Sequence, residues 1–299
     1  MKPLLVTAFY DIGRGALAAP AMARSREQYL ESCRRYVLQL PGPRFLLATA
    51  ETHAALPGGF DFRDVAAFKE LRCHAYLDAT REIMSSPEFR KLFDSEDDHR
   101  HMEHRVPEYN VVTLGKWDAL ERAARLTRYS FSHYVWIDFG IGARAKPTPF
   151  LPAPTAFAPI ERDRIVVSAE RRNRLRAKDL QTLRRQVRLF REQAAGGLMI
   201  VPSHLLDLYC DMARRNYELL LSLGLTTDEQ LVIDMCIFDR PDMFHLSYPP
   251  PGLTKFNHIH NVIHGLDGHS DRKPTLLDSL FKRAARRHAR RSIGLDAPG

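Results

Sequence analysis

The residues able to do chemistry in this chain fall in a few short stretches. Asp138, in HYVWIDFGIG, is a carboxylate at the far end of an apolar run and is followed by Gly140 and Gly142. If the run is a strand, the carboxylate lies where open α/β sheets bind ligands, and the glycines let a ligand approach the backbone. Such a carboxylate can hold Mg²⁺ or Mn²⁺, which in turn neutralises a diphosphate. The plain alternative is an aspartate capping the next turn. Lys116 precedes that strand by one predicted short helix, and its charge at a helix N-terminus suits phosphate oxygens; a solvated surface lysine is the simpler reading. Asp228 and Glu229 are adjacent acids in TTDEQ, opening a helix after a turn. The helix dipole favours acids there whatever the function, so only their surroundings can make them catalytic.

Histidine is concentrated in two places. His99, His101 and His104 in DSEDDHRHMEHR are interleaved with acids and arginines and read as a solvated loop or helix end. The segment FNHIHNVIHGLDGH carries His258, His260, His264 and His269 beside Asn, Asp and Gly, a better source of a ligand to join Asp138 on a divalent cation. Neither spacing matches a zinc motif such as HExxH.

These residues need a scaffold, and the pattern supplies α/β elements. PLLVTAF (3–9) reads as a buried strand ended by Asp11 and Gly13. Apolar residues at helical spacing from Ser25 to about Leu40 predict a helix with Ser25 as N-cap. RFLLATAE follows as a second strand, so a parallel βαβ start is expected. Residues 62–98 read as mostly helical. EYNVVTLGKWDALERAARL reads as a short strand or turn that becomes an amphipathic helix. YSFSHYVWIDFG, RIVVS (164–168) and AAGGLMIVP are strands, and 147–159 is a Pro-rich strap. Residues 170–192 are basic with a helical period. Residues 203–223 form a helix capped by Ser203 and stopped at Gly224, and Thr226 or Thr227 caps the helix after it. A basic helix ends the chain at 276–292. No internal repeat or linker divides the chain, so residues 1–275 read as one domain and 276–299 as a basic tail.

Composition narrows the class. The chain has 299 residues, 44% of them hydrophobic and 27% charged, as in a folded globular protein. No run approaches the ~18 apolar residues of a membrane span, and Tyr10 and Asp11 stand where a signal peptide needs small residues, so a cytoplasmic location is expected. Cys33, Cys73, Cys210 and Cys236 are far apart without CxxC pairing and read as reduced, buried thiols. The net charge of +8 fits an anionic partner, whether phosphorylated substrate, nucleic acid or membrane surface.

Taken in order, LVTAFYDIGRG, PEYNVVTLGKWDALERAAR, YVWIDFG and TDEQLVIDMCIFDRPDMFHL resemble the HtrL/YibB family, also labelled WlaTC/HtrL-like glycosyltransferases and associated with bacterial surface-polysaccharide and lipopolysaccharide genes. The resemblance implies a GT-A-like, Rossmann-type mixed sheet flanked by helices, with a nucleotide-sugar across the ends of parallel strands. It implies that Thr7, Ala8 and Tyr10 border the base, that Asp11 and Arg14 lie near ribose or diphosphate, and that Lys116 is the basic residue before the aspartate strand. Gly196 and Gly197 would lie beside the donor sugar, and Asp228 and Glu229, with Gln230, beneath the reacting centre. Asp138 and His264 would hold a divalent cation, Mn²⁺ or Mg²⁺. The usual form in GT-A-type enzymes is Asp-x-Asp, whereas this chain has Asp138-Phe139-Gly140, one carboxylate fewer.

The expected function is transfer of a sugar from a nucleotide-sugar donor to a bacterial surface glycan, with a glycan or lipid-linked acceptor. Asp228 or Glu229 would be the base, or would stabilise positive charge on the sugar if the reaction retains configuration. The tail, with Lys282, Arg283, Arg286, Arg287, Arg290 and Arg291, is expected to meet an anionic membrane surface. The competing readings are a degenerate transferase fold acting as a scaffold and a basic nucleic-acid-binding protein. No helix-turn-helix, RNA-recognition or zinc-finger pattern supports the last.

Overall fold

The computed structural model describes residues 3–17, 23–93, 101–141, 163–170, 174–190, 192–249 and 262. The chain opens as its pattern predicts. β1 (Pro3–Phe9) leads to a single turn, α1 (Arg14–Leu17), and then to α2 (Arg26–Arg35). Ser25 Oγ accepts the Gln28 N–H at 3.3 Å while the Gln28 side chain accepts the Ser25 N–H at 2.8 Å, a reciprocal cap. α2 stops at Arg35, short of Leu40, where a 3₁₀ turn at Val37–Gln39 takes over. β2 (Arg44–Ala48) follows, and Thr49 caps α3 (Ala50–Ala55) instead of extending the strand.

Residues 62–98 are less helical than their composition implies. β3 (Phe62–Val65) pairs with β2, two 3₁₀ turns follow, and α-helix is confined to α4 (Leu77–Ser85) and α5 (Pro87–Arg90). A larger correction concerns α6 (Pro107–Leu126), a 20-residue helix that takes in the whole of EYNVV. Pro107 at its first position presets the backbone dihedral and needs no N–H partner, so the helix begins nine residues before Lys116. Lys116 therefore lies mid-helix, not at an N-terminus.

β4 (His133–Ile137) and β5 (Ile165–Ala169) come next. α7 (Leu180–Leu189) is shorter than the basic stretch 170–192 and ends at Phe190 in the left-handed region, φ 47°. β6 (Ala194–Pro202) is AAGGLMIVP in full. α8 (Leu206–Ser222) is preceded by a 3₁₀ turn at Ser203–Leu205, so Ser203 does not cap it; it stops before Gly224, at φ +68°. α9 (Glu229–Asp239) is capped by Asp228, one or two residues later than Thr226 or Thr227. β7 (Phe244–Ser247) closes the sheet.

The strands form one seven-stranded sheet in the order β3-β2-β1-β4-β6-β5-β7. Four neighbouring pairs are parallel, and β6 runs antiparallel to both β4 and β5. The result is a Rossmann-like mixed α/β fold. From β1 the chain moves to β2 on one side and later to β4 on the other, so the carboxyl ends of β1 and β4 flank a topological switch point.

Side-chain alternation divides the core. Leu4, Val6, Tyr134 and Trp136 pack with α6, α8 and α9 on one face. Leu5, Phe9, Val135 and Ile137 pack with Leu30, Cys33 and Val37 on the other, and Val262 joins this second cluster at 7% exposure. All four cysteines are buried and free, as expected. Among the described residues no helix is long and apolar enough to cross a membrane. His99, His258, His260, His264, His269, Gly142, the 147–159 strap and the tail 276–299 lie outside the described residues.

Candidate functional site

The switch point opens into a cleft whose empty space, open solvent included, is about 1330 Å³. Five segments distant in sequence supply most of its lining: the end of β1 with the loop after it, the first half of α6, the end of β4, the start of β6, and the N-terminus of α9. Of the residues singled out from sequence, Ala8, Tyr10, Asp11, Arg14, Lys116, Asp138, Gly196, Gly197, Asp228 and Glu229 all line it. Thr7 does not; it is 2% exposed, on the β1 face shared with Leu5 and Phe9.

Lys116 is the centre of the arrangement. α6 runs through the larger core cluster, with Trp117, Leu120 and Ala123 buried around the lysine, whose own exposure is 2%. Its ammonium donates to Glu229 Oε1 at 2.6 Å and to the Gly196 carbonyl at 2.9 Å. It lies 3.9 Å from Asp138 Oδ1 and 5.4 Å from the centre of the Trp136 ring. Burying an ammonium is tolerable only with such partners. Asp138 is anchored in turn, donating its N–H to Gly197 O at 3.1 Å and accepting the Trp136 indole N–H on Oδ1 at 2.9 Å.

Gly196 is where the packing admits no side chain. A Cβ there would stand 1.8 Å from Glu229 Oε1 and 2.9 Å from Lys116 Nζ. The register between β6 and α9 is held by Asp234, buried within α9, which accepts the Ala194 N–H at 2.8 Å. With the backbones tied together, the clash falls on the Glu229 and Lys116 side-chain ends. Gly196→Ala is therefore expected to separate Lys116 from Glu229 and to cost about 1–3 kcal/mol or more, the usual range for overpacking. A urea melt equal to wild type would show that the pair is not held this tightly.

Asp228 and Glu229 occupy different environments although adjacent. Glu229 is committed to Lys116. Asp228, 3% exposed, accepts the Gln230 backbone N–H at 3.0 Å and its side-chain amide N–H at 3.0 Å. Those hydrogen bonds favour the carboxylate, yet burial, reinforced by the charges of Glu229, Glu103 and Glu192, raises the Asp228 pKa well above 3.8. Burial also raises Glu103, and it pushes the Tyr109 phenol up, with Glu103 and Asp228 adding to the effect. The α9 end of the cleft thus holds a carboxyl of raised pKa beside an ion-paired carboxylate.

Sequence reasoning missed part of the wall. Phe9 stacks on Phe139 with ring centres 4.7 Å apart and meets Tyr29 at 5.2 Å. Arg24 lies over the Tyr29 ring and donates to Gly140 O at 3.4 Å. Arg14 donates to the Tyr29 hydroxyl at 2.9 Å and packs on the Tyr109 ring. Glu103 was hidden in the charged run; Met102 and His104 beside it are buried, so that part is no solvated loop. The available signal was Met102 and Val106 at i and i+4, directly before Pro107.

The ligand expected to join Asp138 on a cation, His264, lies outside the described residues. Among the described residues no group of three or more His, Cys, Asp or Glu could hold a metal ion. The carboxyl also faces an ammonium, which opposes a second cation.

The family model for a bacterial protein of unknown function, HtrL_YibB, matches residues 66–254, more than half of the sequence. The chain belongs to the HtrL_YibB family. The matched region of HtrL_YibB takes in Lys116, Asp138, Gly196, Asp228 and Glu229 but not the β1 loop with Asp11 and Arg14, nor His264. No curated protein matches the chain.

Proposed function

We propose that the cleft binds a nucleotide-sugar and transfers the sugar to a hydroxyl of a bacterial surface glycan. The observation that carries this reading is the meeting of Lys116, Asp138, Gly196 and Glu229 at the carboxyl ends of β1 and β4, between an aromatic wall and a buried acid pair. Aromatic side chains and Arg24 suit a planar base. Lys116 and Arg14 suit the diphosphate, and Asp228 with Glu103 suits hydroxyl groups and a proton in transit.

In the reaction, the bond from the anomeric carbon to the diphosphate oxygen breaks and the diphosphate keeps the electron pair. The acceptor oxygen bonds to that carbon and its proton passes to Asp228 in its ionised form, which the raised pKa makes a stronger base. Glu229 has the supporting role of fixing the ammonium that faces the leaving group.

A thermal-shift screen of nucleotide-sugars tests this, because a ligand of the folded state alone raises the midpoint according to its affinity. At least one donor is expected to shift the transition and, with acceptor glycan, to release its nucleoside diphosphate. If no nucleotide-sugar shifts it, the reading fails.

The proposal extends to location: the six basic residues of the tail hold the enzyme at an anionic membrane, each contributing ~1 kcal/mol. Sedimentation with anionic but not neutral vesicles, screened by salt and lost on deleting 279–299, is the expected result. Equal sedimentation of the truncated protein would remove the tail from this role.

A further inference from the structure

A fully buried lysine among carboxyl groups is an unusual choice for a site that is to receive a divalent metal. Mg²⁺ or Mn²⁺ sits ~2.1 Å from a carboxylate oxygen. An ion bound through Asp138 Oδ1, itself 3.9 Å from Lys116 Nζ, would then be held within about 6 Å of the ammonium. The ammonium cannot withdraw, because Glu229 and the Gly196 carbonyl fix it and the Trp136 ring lies beside it.

We propose that Lys116 is itself the cation of this cleft, receiving the diphosphate of the ligand in place of a divalent metal ion, with Arg14 as the second cationic group. This rests on the reading of the cleft as a site for a diphosphate ligand. Two of the three ammonium N–H groups are used within the protein, by Glu229 at 2.6 Å and Gly196 at 2.9 Å. Asp138 Oδ1, at 3.9 Å, is too far for a hydrogen bond, which leaves the third N–H for a phosphate oxygen. The lysine is also immobilised before the ligand arrives, so little ordering cost remains on binding. On the Arg14 side, Nε is buried with no acceptor among the described residues, a donor that lacks its partner.

Asp138 then has a different part from that of a metal ligand. Its carboxylate is a counter-charge to the ammonium at the open side of the cleft, 45% exposed. Removing that charge takes a like charge away from an incoming phosphate. In Asp138→Asn the side-chain oxygen can still accept the Trp136 N–H. The two cations thus make opposite predictions for one variant.

The test is calorimetry on the full chain with inorganic pyrophosphate, ADP, GDP, CDP and UDP, each in EDTA and in excess Mn²⁺, together with Mn²⁺ alone. Expected are the same affinity for the preferred probe in EDTA and in Mn²⁺, no heat from Mn²⁺ alone, and equal or tighter binding by Asp138→Asn. Lys116→Met is expected to lose about tenfold or more, the worth of one hydrogen bond to a charged group. Should Lys116→Met not fold, the EDTA and Asp138→Asn arms still decide. Binding that requires Mn²⁺ and disappears in Asp138→Asn would overturn the inference while leaving the nucleotide-sugar reading intact. Absence of binding by every probe in both conditions would overturn both.

Discussion

Asp228→Asn is expected to lower turnover sharply while making the protein more stable at neutral and alkaline pH. The two effects share one cause. Asp228 is buried with three acidic neighbours, and its pKa in the folded state lies well above the ordinary 3.8. Below 3.8 the carboxyl is neutral in folded and unfolded chains alike and contributes nothing. As pH rises beyond that value the unfolded chain releases the proton while the folded one keeps it, so stability falls until the raised folded pKa is passed. Asparagine carries no such penalty. It is also as good an N-cap as aspartate, and its oxygen can still accept the Gln230 N–H. The melting temperature of the variant should therefore match wild type below the ordinary carboxyl pKa and exceed it increasingly as pH rises toward the raised folded value. Turnover should fall roughly 10²-fold or more, the range for loss of a general base. A variant that is stabilised yet active would sever Asp228 from the chemistry. One that is destabilised at about pH 8 would show that the carboxylate is well accommodated.

The second large effect is expected at the Lys116–Glu229 pair. Lys116→Met leaves a carboxylate at 8% side-chain exposure with its partner gone, and Glu229→Gln leaves an ammonium at 2% with a weaker one. Removing one partner of a buried pair costs about 3–5 kcal/mol, mostly the burden of the charge left behind. The double variant Lys116→Met with Glu229→Gln carries no such charge, so it should lose much less than the sum of the single changes, a coupling of about 0.5–3 kcal/mol in a double-mutant cycle. Urea unfolding of the four proteins measures this. Additive losses would mean that the two side chains do not depend on each other as their 2.6 Å contact implies.

The strands were the most legible part of the fold. β1 and β6 match their apolar runs residue for residue, because buried strands of an α/β sheet read as continuous Val, Leu and Ile with sharp ends at Gly, Pro or Asp. Helix starts were harder. Asp228 caps α9 although Thr226 and Thr227 are equally good capping residues, and EYNVV joins α6 although Val111 and Val112 favour strands, because Pro107 and burial against the sheet outweigh local preference. At the site, strand-end positions such as Asp138 could be found from pattern. The state of Lys116 could not, since nothing local distinguishes a lysine buried against Glu229, 113 residues away, from one on the surface. Phe9, Phe139 and Glu103 escaped for a similar reason: each looks like ordinary core or ordinary surface until strands bring it to a common edge.

Val262 bears on how the protein can be dissected. The family match stops at residue 254, a tempting place to end an expressed fragment. Val262 belongs to the apolar cluster that includes Phe9 and Phe139, on the central strands and not beside β7 at the sheet's edge. A fragment cut at 254 would forfeit a filler of that cluster and loosen the stacked rings at the cleft, lowering ligand affinity with every polar residue of the site still in place. A fragment made to test the proposed activity should therefore run past residue 262, since a negative result from one cut at 254 could reflect the lost packing of Val262 and not the chemistry of the site.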